Sequence, residues 1–161
     1  YPGELTLSSN GKLYGIARLG GTRGRGTLYE YDPPTSTFAK KYDFQSDGGT
    51  GLGYLTQASN GKFYGTYGGF SLFEFDPATG EYEPKVNNLI SGPLNLIQSM
   101  NGKLYGVTSG GGAANSGTLF EYDIPSNTHT KKIDFNLAPN GSRPQGNFAQ
   151  YGTKLIGMTM E

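Results

Sequence analysis

Few residues of this chain have types and spacings that could do chemistry. His129 is the single histidine. A triad would need a positioned nucleophile and an orienting carboxylate beside it, so packing is the expected role. Carboxylates recur two residues apart as Glu30 and Asp32, Glu74 and Asp76, and Glu121 and Asp123. Strand alternation puts both members of a pair on one face. A catalytic acid and base are needed once, however, and a pair repeated three times points to hydrogen bonding inside a structural repeat. The glycine-rich stretches match neither phosphate-binding pattern, G-x-G-x-x-G or G-x-x-x-x-G-K-[ST], and no helix follows them to hold an anion. The stretch Asp43 to Gly48 is acidic like a calcium loop but lacks the alternating oxygen ligands and the distal Glu. Asn140-Gly141-Ser142 has the form of a glycosylation acceptor, which has meaning only in a eukaryotic secretory setting. No metal site, cofactor or catalytic residue is expected.

The elements that must carry these residues are written in a repeat. Asn10-Gly11-Lys12-Leu13-Tyr14-Gly15 returns as Asn60-Gly61-Lys62-Phe63-Tyr64-Gly65 and as Asn101-Gly102-Lys103-Leu104-Tyr105-Gly106, with a degenerate copy at Gly152-Thr153-Lys154-Leu155-Ile156-Gly157. A second block follows each full copy: Thr27-Leu28-Tyr29-Glu30-Tyr31-Asp32, Ser71-Leu72-Phe73-Glu74-Phe75-Asp76 and Thr118-Leu119-Phe120-Glu121-Tyr122-Asp123. The repeated lysines lie 50, 41 and 51 residues apart (Lys12, Lys62, Lys103, Lys154), the length of a propeller blade. Within a repeat, Asn-Gly predicts a tight type I′ hairpin between the first two strands. Glycines separate the second strand from the third, and an Asp-Pro turn leads to the fourth. The predicted fold is therefore all-β: a β-propeller of four-stranded antiparallel blades, three complete and a fourth partial, part of a larger propeller. The blades are placed at about 4–46, 52–90, 94–137 and 146–161 of one segment spanning 1–161.

Composition agrees with short strands and excludes several functions. Of 161 residues, 27 are Gly, 12 Tyr and 9 Phe, a mixture of turn formers and β formers. Thirteen basic residues balance thirteen acidic ones, which leaves no net field to attract nucleic acid or an anionic membrane. Without Cys there is no disulfide framework and no thiolate metal cluster. No apolar run approaches the roughly 20 residues that span a bilayer.

Gly-Gly before an apolar strand, then Tyr31-Asp32-Pro33 or Phe75-Asp76-Pro77 and an aromatic six positions after the Asp, resembles the kelch motif. The kelch Trp position falls on Phe38, Tyr82 and His129, and the chain has no Trp. The combined pattern, Asn-Gly-Lys-Leu-Tyr-Gly, a glycine-rich loop and Gly-Thr-Leu-Phe-Glu-Tyr-Asp, more closely resembles the GloVer tandem repeats of exported bacterial proteins. That resemblance covers essentially the whole chain. It implies a propeller in an extracellular or cell-surface setting and carries no catalytic residues.

Binding on a rigid β scaffold belongs in variable loops. From Tyr14 to Tyr29 and from Tyr105 to Phe120 is 15 residues, but from Tyr64 to Phe73 only 9, so the first and third blades carry a six-residue insertion. One rim would then gather Arg18, Arg23, Arg25, Asp47, Tyr67, Asn115 and Arg143 as the expected binding surface. The expected function is noncatalytic binding or display, with a carbohydrate or protein ligand. Two alternatives stand beside it: a structural array in an extracellular layer or filament, and a kelch-like propeller enzyme of hydrolase or oxidoreductase type. No nucleic acid and no membrane insertion are expected. The partial fourth blade leads us to expect that the native polypeptide continues beyond Glu161 and that the isolated segment forms a homo-oligomer through its open blade edges.

Overall fold

A computed structural model describes residues 2–45, 53–67, 71–87, 89, 93–136, 141–152 and 154–159. All of its regular structure is β. The first sheet pairs β1 (Pro2–Leu7), β2 (Leu13–Ala17), β3 (Thr27–Asp32) and β4 (Thr37–Asp43) in sequence order. The second contains β5 (Tyr54–Gln57), β6 (Phe63–Tyr67), β7 (Ser71–Phe75) and β8 (Tyr82–Asn87). The third contains β9 (Pro93–Gln98), β10 (Leu104–Thr108), β11 (Thr118–Asp123) and β12 (Thr128–Asp134). A two-stranded sheet of β13 (Pro144–Tyr151) and β14 (Lys154–Thr159) follows. All pairings are antiparallel, the innermost strands β1, β5, β9 and β13 contact one another in series, and the array stays open. This is a partial β-propeller of three blades and half of a fourth.

The turn between the first two strands of each blade differs from the type I′ expectation. Gly11, Gly61 and Gly102 have φ near +80°, but Asn10, Asn60 and Asn101 do not enter positive φ. Gly11 N donates to Ser8 O at 3.0 Å and Ser8 N to Lys12 O at 2.8 Å. That pattern is a type I turn closed by a left-handed glycine at a bulge, the three-residue hairpin loop. The Asn side chain explains the preference: Asn10 Oδ1 accepts from Lys12 N at 3.0 Å, which favours the turn in a short polar residue.

The last glycine of the repeated hexapeptide has another cause. Gly15, Gly65 and Gly106 lie opposite Tyr29, Phe73 and Phe120 across the ladder. A Cβ built on them would meet those rings at 2.6, 2.4 and 2.4 Å. The aromatic side chain lies flat over the glycine, which gives the ring a fixed position in the blade.

Blades then stack face to face. Tyr14, Ile16, Leu28 and Phe44 of the first blade pack on Phe63, Tyr67, Phe73 and Phe75 of the second. Tyr64, Leu72 and Leu89 of the second pack on Leu96, Leu104, Phe120 and Tyr122 of the third. Each large side chain buried this way contributes about 1.5–3 kcal/mol. A polar clamp repeats beside the apolar layers. Gln57 donates to Gly61 O at 2.8 Å in its own hairpin and accepts from Ser9 N of the preceding blade at 2.7 Å, and Gln98 does the same with Gly102 O and Ser59 N.

Candidate ligand-binding rim

Strand register sets which residues share an end of the array. Leu7 faces Leu13, Leu13 faces Tyr31, and Asp32 faces Thr37, which places the first and third turns of a blade together. Ala17 facing Thr27, and Thr27 facing Asp43, put the glycine-rich loop and the end of the fourth strand at the other end. The two long loops are built alike. Gly24 N donates to Gly21 O at 3.2 Å and Gly26 N to Gly20 O at 2.9 Å; Asn115 N donates to Gly112 O at 3.2 Å and Gly117 N to Gly111 O at 3.1 Å. Positive φ at Gly20, Gly21, Gly24 and Gly26 is matched at Gly111, Gly112, Asn115 and Gly117.

An aspartate ends the fourth strand beneath each loop. Asp43 accepts from Lys40 Nζ at 2.6 Å and from the Thr22 hydroxyl at 3.4 Å, and Asp134 accepts from Lys131 Nζ at 2.7 Å. The hydrogen bond from Lys40, ahead of the opposing effect of burial, holds the Asp43 carboxyl below the usual carboxylate range. A Cβ on Gly21 or Gly112 would strike the carboxylate of Asp43 or Asp134, so glycine is needed there twice over. The loop carbonyls of Gly26 and Gly117 accept from Phe44 N and Phe135 N at 3.1 and 3.0 Å. The second blade has Asn87 where the others have Asp, and its connection is short. The repeated Lys-Lys-x-Asp-Phe in the two long-loop blades is the sequence signal for this arrangement.

The structure brings the expected site residues together in two groups. Arg23 and Arg25 are exposed on the first loop, with Arg18 half-buried at its base. The positive charge of Arg25 acts on Tyr67, although burial dominates and raises that hydroxyl's pKa. Tyr67 is itself buried, its ring stacked 3.7 Å from Phe44. In the second group, Arg143 N donates to Ser116 O at 2.8 Å, which sets its exposed side chain beside the third-blade loop. Asn115 is exposed, but its Oδ1 accepts from Gly111 N at 2.8 Å inside that loop. Asp47 lies outside the described residues.

The repeated carboxylates lie at the opposite end, in a network that the sequence pattern only hinted at. Glu30 accepts from Lys12 Nζ at 2.8 Å and from the Tyr14 hydroxyl at 2.6 Å, while Asn10 donates to the same hydroxyl at 3.2 Å. Lys62, Tyr64, Asn60 and Glu74 repeat this, as do Lys103, Tyr105, Asn101 and Glu121. A second lysine approaches each glutamate: Lys41 at 3.3 Å, Lys85 at 3.5 Å and Lys132 at 3.7 Å. All three fall where the register shifts between third and fourth strands, so a β-bulge turns each lysine toward the glutamate. Burial pushes the Glu30 carboxyl up, but hydrogen bonds from Lys12, Tyr14 and Lys41 outweigh it and bring the pKa to about 2. Such a carboxylate is a fixed anion and cannot shuttle protons near neutral pH.

His129 sits against Phe120, ring centroids 5.3 Å apart, and lines a cavity of about 360 Å³ with Thr108, Phe120 and Lys131. Burial lowers its pKa. Phe38 and Tyr82 occupy the matching places, 5.1 Å from Tyr29 and Phe73. Among the described residues no group of His, Asp and Glu is arranged to hold a metal ion.

No family model matches the chain, and no curated protein matches it. Solved structures share its fold. The extracellular domain of the putative one component system BT4673 from B. thetaiotaomicron superposes with a TM-score of 0.75 at 15% identity, covering 98% of this chain and 20% of that one. A streptogramin B lyase gives 0.64 at 16% identity, over 89% and 43%. The virginiamycin B lyase from Staphylococcus aureus gives 0.66 at 13% identity, over 99% and 55%. The chain spans between a fifth and about half of the length of these proteins, and the class they define with it is the β-propeller.

Proposed function

We propose that the chain is part of a noncatalytic binding module of an exported or cell-surface protein, with a GloVer-type, kelch-like repeat. Its ligand, a carbohydrate or a protein segment, is held at the rim bearing Arg18, Arg23, Arg25, Asp47, Tyr67, Asn115 and Arg143. The observation that carries this reading is the pair of loops at 20–26 and 111–117, given one geometry by matching backbone hydrogen bonds, including those from Phe44 N and Phe135 N. Loops so fixed lose little entropy on binding, and the planar donors of arginine suit carboxylates and sugar hydroxyls. The extracellular domain sharing the fold supports the setting. An enzyme is the second reading, favoured by the two lyases that share the fold and by the cavity holding His129.

The test is a screen of glycans and peptides against the chain, followed by Arg23→Ala with Arg25→Ala. Affinity should fall at least about tenfold, with an unchanged melting temperature. A ligand whose affinity ignores both changes would place binding elsewhere. Loss of binding through His129→Ala alone would favour the enzyme.

A further inference from the structure

Two interblade spaces lie between complete blades, and matching positions fill them differently. Between the first and second blades, Tyr42 of β4 stacks on Tyr82 of β8, ring centroids 3.8 Å apart and planes 9° apart. Beside them Phe44 stacks on Tyr67 at 3.7 Å. These four rings belong to the apolar layer that closes the space. Pairing register gives their equivalents between the second and third blades. Val86 faces Leu72 as Tyr42 faces Leu28, and His129 faces Tyr122 as Tyr82 faces Phe75. Thr108 ends β10 as Tyr67 ends β6, and Leu89 packs where the first blade supplies Phe44. Three tyrosines and a phenylalanine thus give way to Val, His, Thr and Leu.

Where the larger rings are missing there is the cavity of about 360 Å³ that His129 lines. Every wall belongs to the second or third blade, each of which has all four strands. Phe120, Leu89 and Thr108 are buried at its floor, Val86 forms a half-buried side, and Asn87, His129 and Lys131 reach solvent at its mouth. A dry apolar cavity of about 150 Å³ is enough to take up benzene, so this one has room for a ring and its substituents. The hydroxyls at the floor are engaged. Thr108 Oγ1 donates to Gly110 O at 2.7 Å, accepts from Thr118 N at 3.0 Å and lies 2.9 Å from Thr118 Oγ1. The floor therefore presents apolar surface. At the mouth, the His129 imidazole makes no hydrogen bond among the described residues. Partial burial lowers its pKa, which leaves it neutral near pH 7 with one acceptor nitrogen.

We propose that this pocket between the second and third blades binds a small phenol, a single aromatic ring bearing a hydroxyl. The ring takes the place that Tyr67 fills between the first two blades, over Thr108 and against Leu89 and Phe120. Its hydroxyl donates to the acceptor nitrogen of His129. Burial of the ring supplies affinity, and the one polar partner at the mouth fixes its orientation. The walls are packed blades, so the pocket is formed before the ligand arrives. None of the rim's arginines lines it, and the two sites can fail independently.

The probe is p-cresol, titrated into the full 161-residue chain at pH 7 and followed by NMR chemical shifts. Saturable shifts are expected at Val86, Leu89, Thr108, Phe120 and His129, with toluene about fivefold weaker for want of the hydrogen bond. His129→Phe should abolish the preference for p-cresol over toluene while the ring still binds. Val86→Tyr with Leu89→Phe, which restores the residues of the first blade, should weaken both ligands at least about tenfold and leave the melting temperature level or higher. Val86→Tyr alone should do the same if the pair does not fold. Shifts that never saturate, or that fall outside the pocket, overturn the proposal. So do equal affinities for p-cresol and toluene in the natural chain, or binding unchanged in the filled variants. N-acetyltyrosine amide binding at least about tenfold tighter than p-cresol overturns it as well, by giving the pocket to a polypeptide.

Discussion

At the scale of single residues, the glutamate of each blade connects a sequence repeat to a measurable property. Glu30 is buried, and its carboxyl is held at about pKa 2 against an ordinary value of 4.5; Glu74 and Glu121 are displaced the same way. A depressed folded pKa means that the unfolded chain binds protons first as the solution is acidified. The contribution of these groups is fully present above about pH 4.5 and is lost as pH falls toward about 2. Urea midpoints should therefore stay level from pH 7 to about 5 and fall steadily below that. Glu30→Gln should lower the midpoint at pH 7 and flatten the acid decline. An unchanged slope would show that the network does not govern acid stability.

At the scale of the element, the hairpin glycines and the blade glycines do different things. A Cβ added at Gly102 would meet nothing within 4 Å, and the residue's φ is +80°. The cost of Gly102→Val is then all backbone strain, about 1–3 kcal/mol. Gly102→Asn should cost less, since Asn enters the left-handed region more readily. Thermal melts that rank the two variants the other way would contradict the turn assignment. Gly106 fails for another reason, because its φ is ordinary and Phe120 occupies the space. The sequence already marked the hairpin glycine as a turn residue, but only the ladder register gave the reason for the blade glycine.

At the scale of the whole molecule, stability resides between blades, because a lone four-stranded sheet leaves both faces wet. Phe44 illustrates the point. It follows β4, is 2% exposed, and stacks on Tyr67 while touching Phe73 and Tyr82 of the next blade. Phe44→Ala should cost about 3–5 kcal/mol in urea unfolding, with one cooperative transition lost or broadened as the blades uncouple. Phe38, 65% exposed on the open face of the first blade, should tolerate the same change within about 1 kcal/mol. Equal costs for the two would mean that the interblade contact carries no special weight.

The sequence by itself determined the blade count, the strand order and the open fourth blade, because each depends on local turn chemistry and on a pattern written three times over. It also pointed to the long loops, since the Tyr-to-aromatic spacing measures them directly. Tertiary structure alone decided which arginines share a neighbourhood, that Tyr67 is buried against Phe44 and that Asn115 is engaged inside its own loop. The second lysine of each blade was equally illegible: Lys41, Lys85 and Lys132 reach their glutamates through bulges. A bulge is a property of how two strands pair, and no single strand's residues record it.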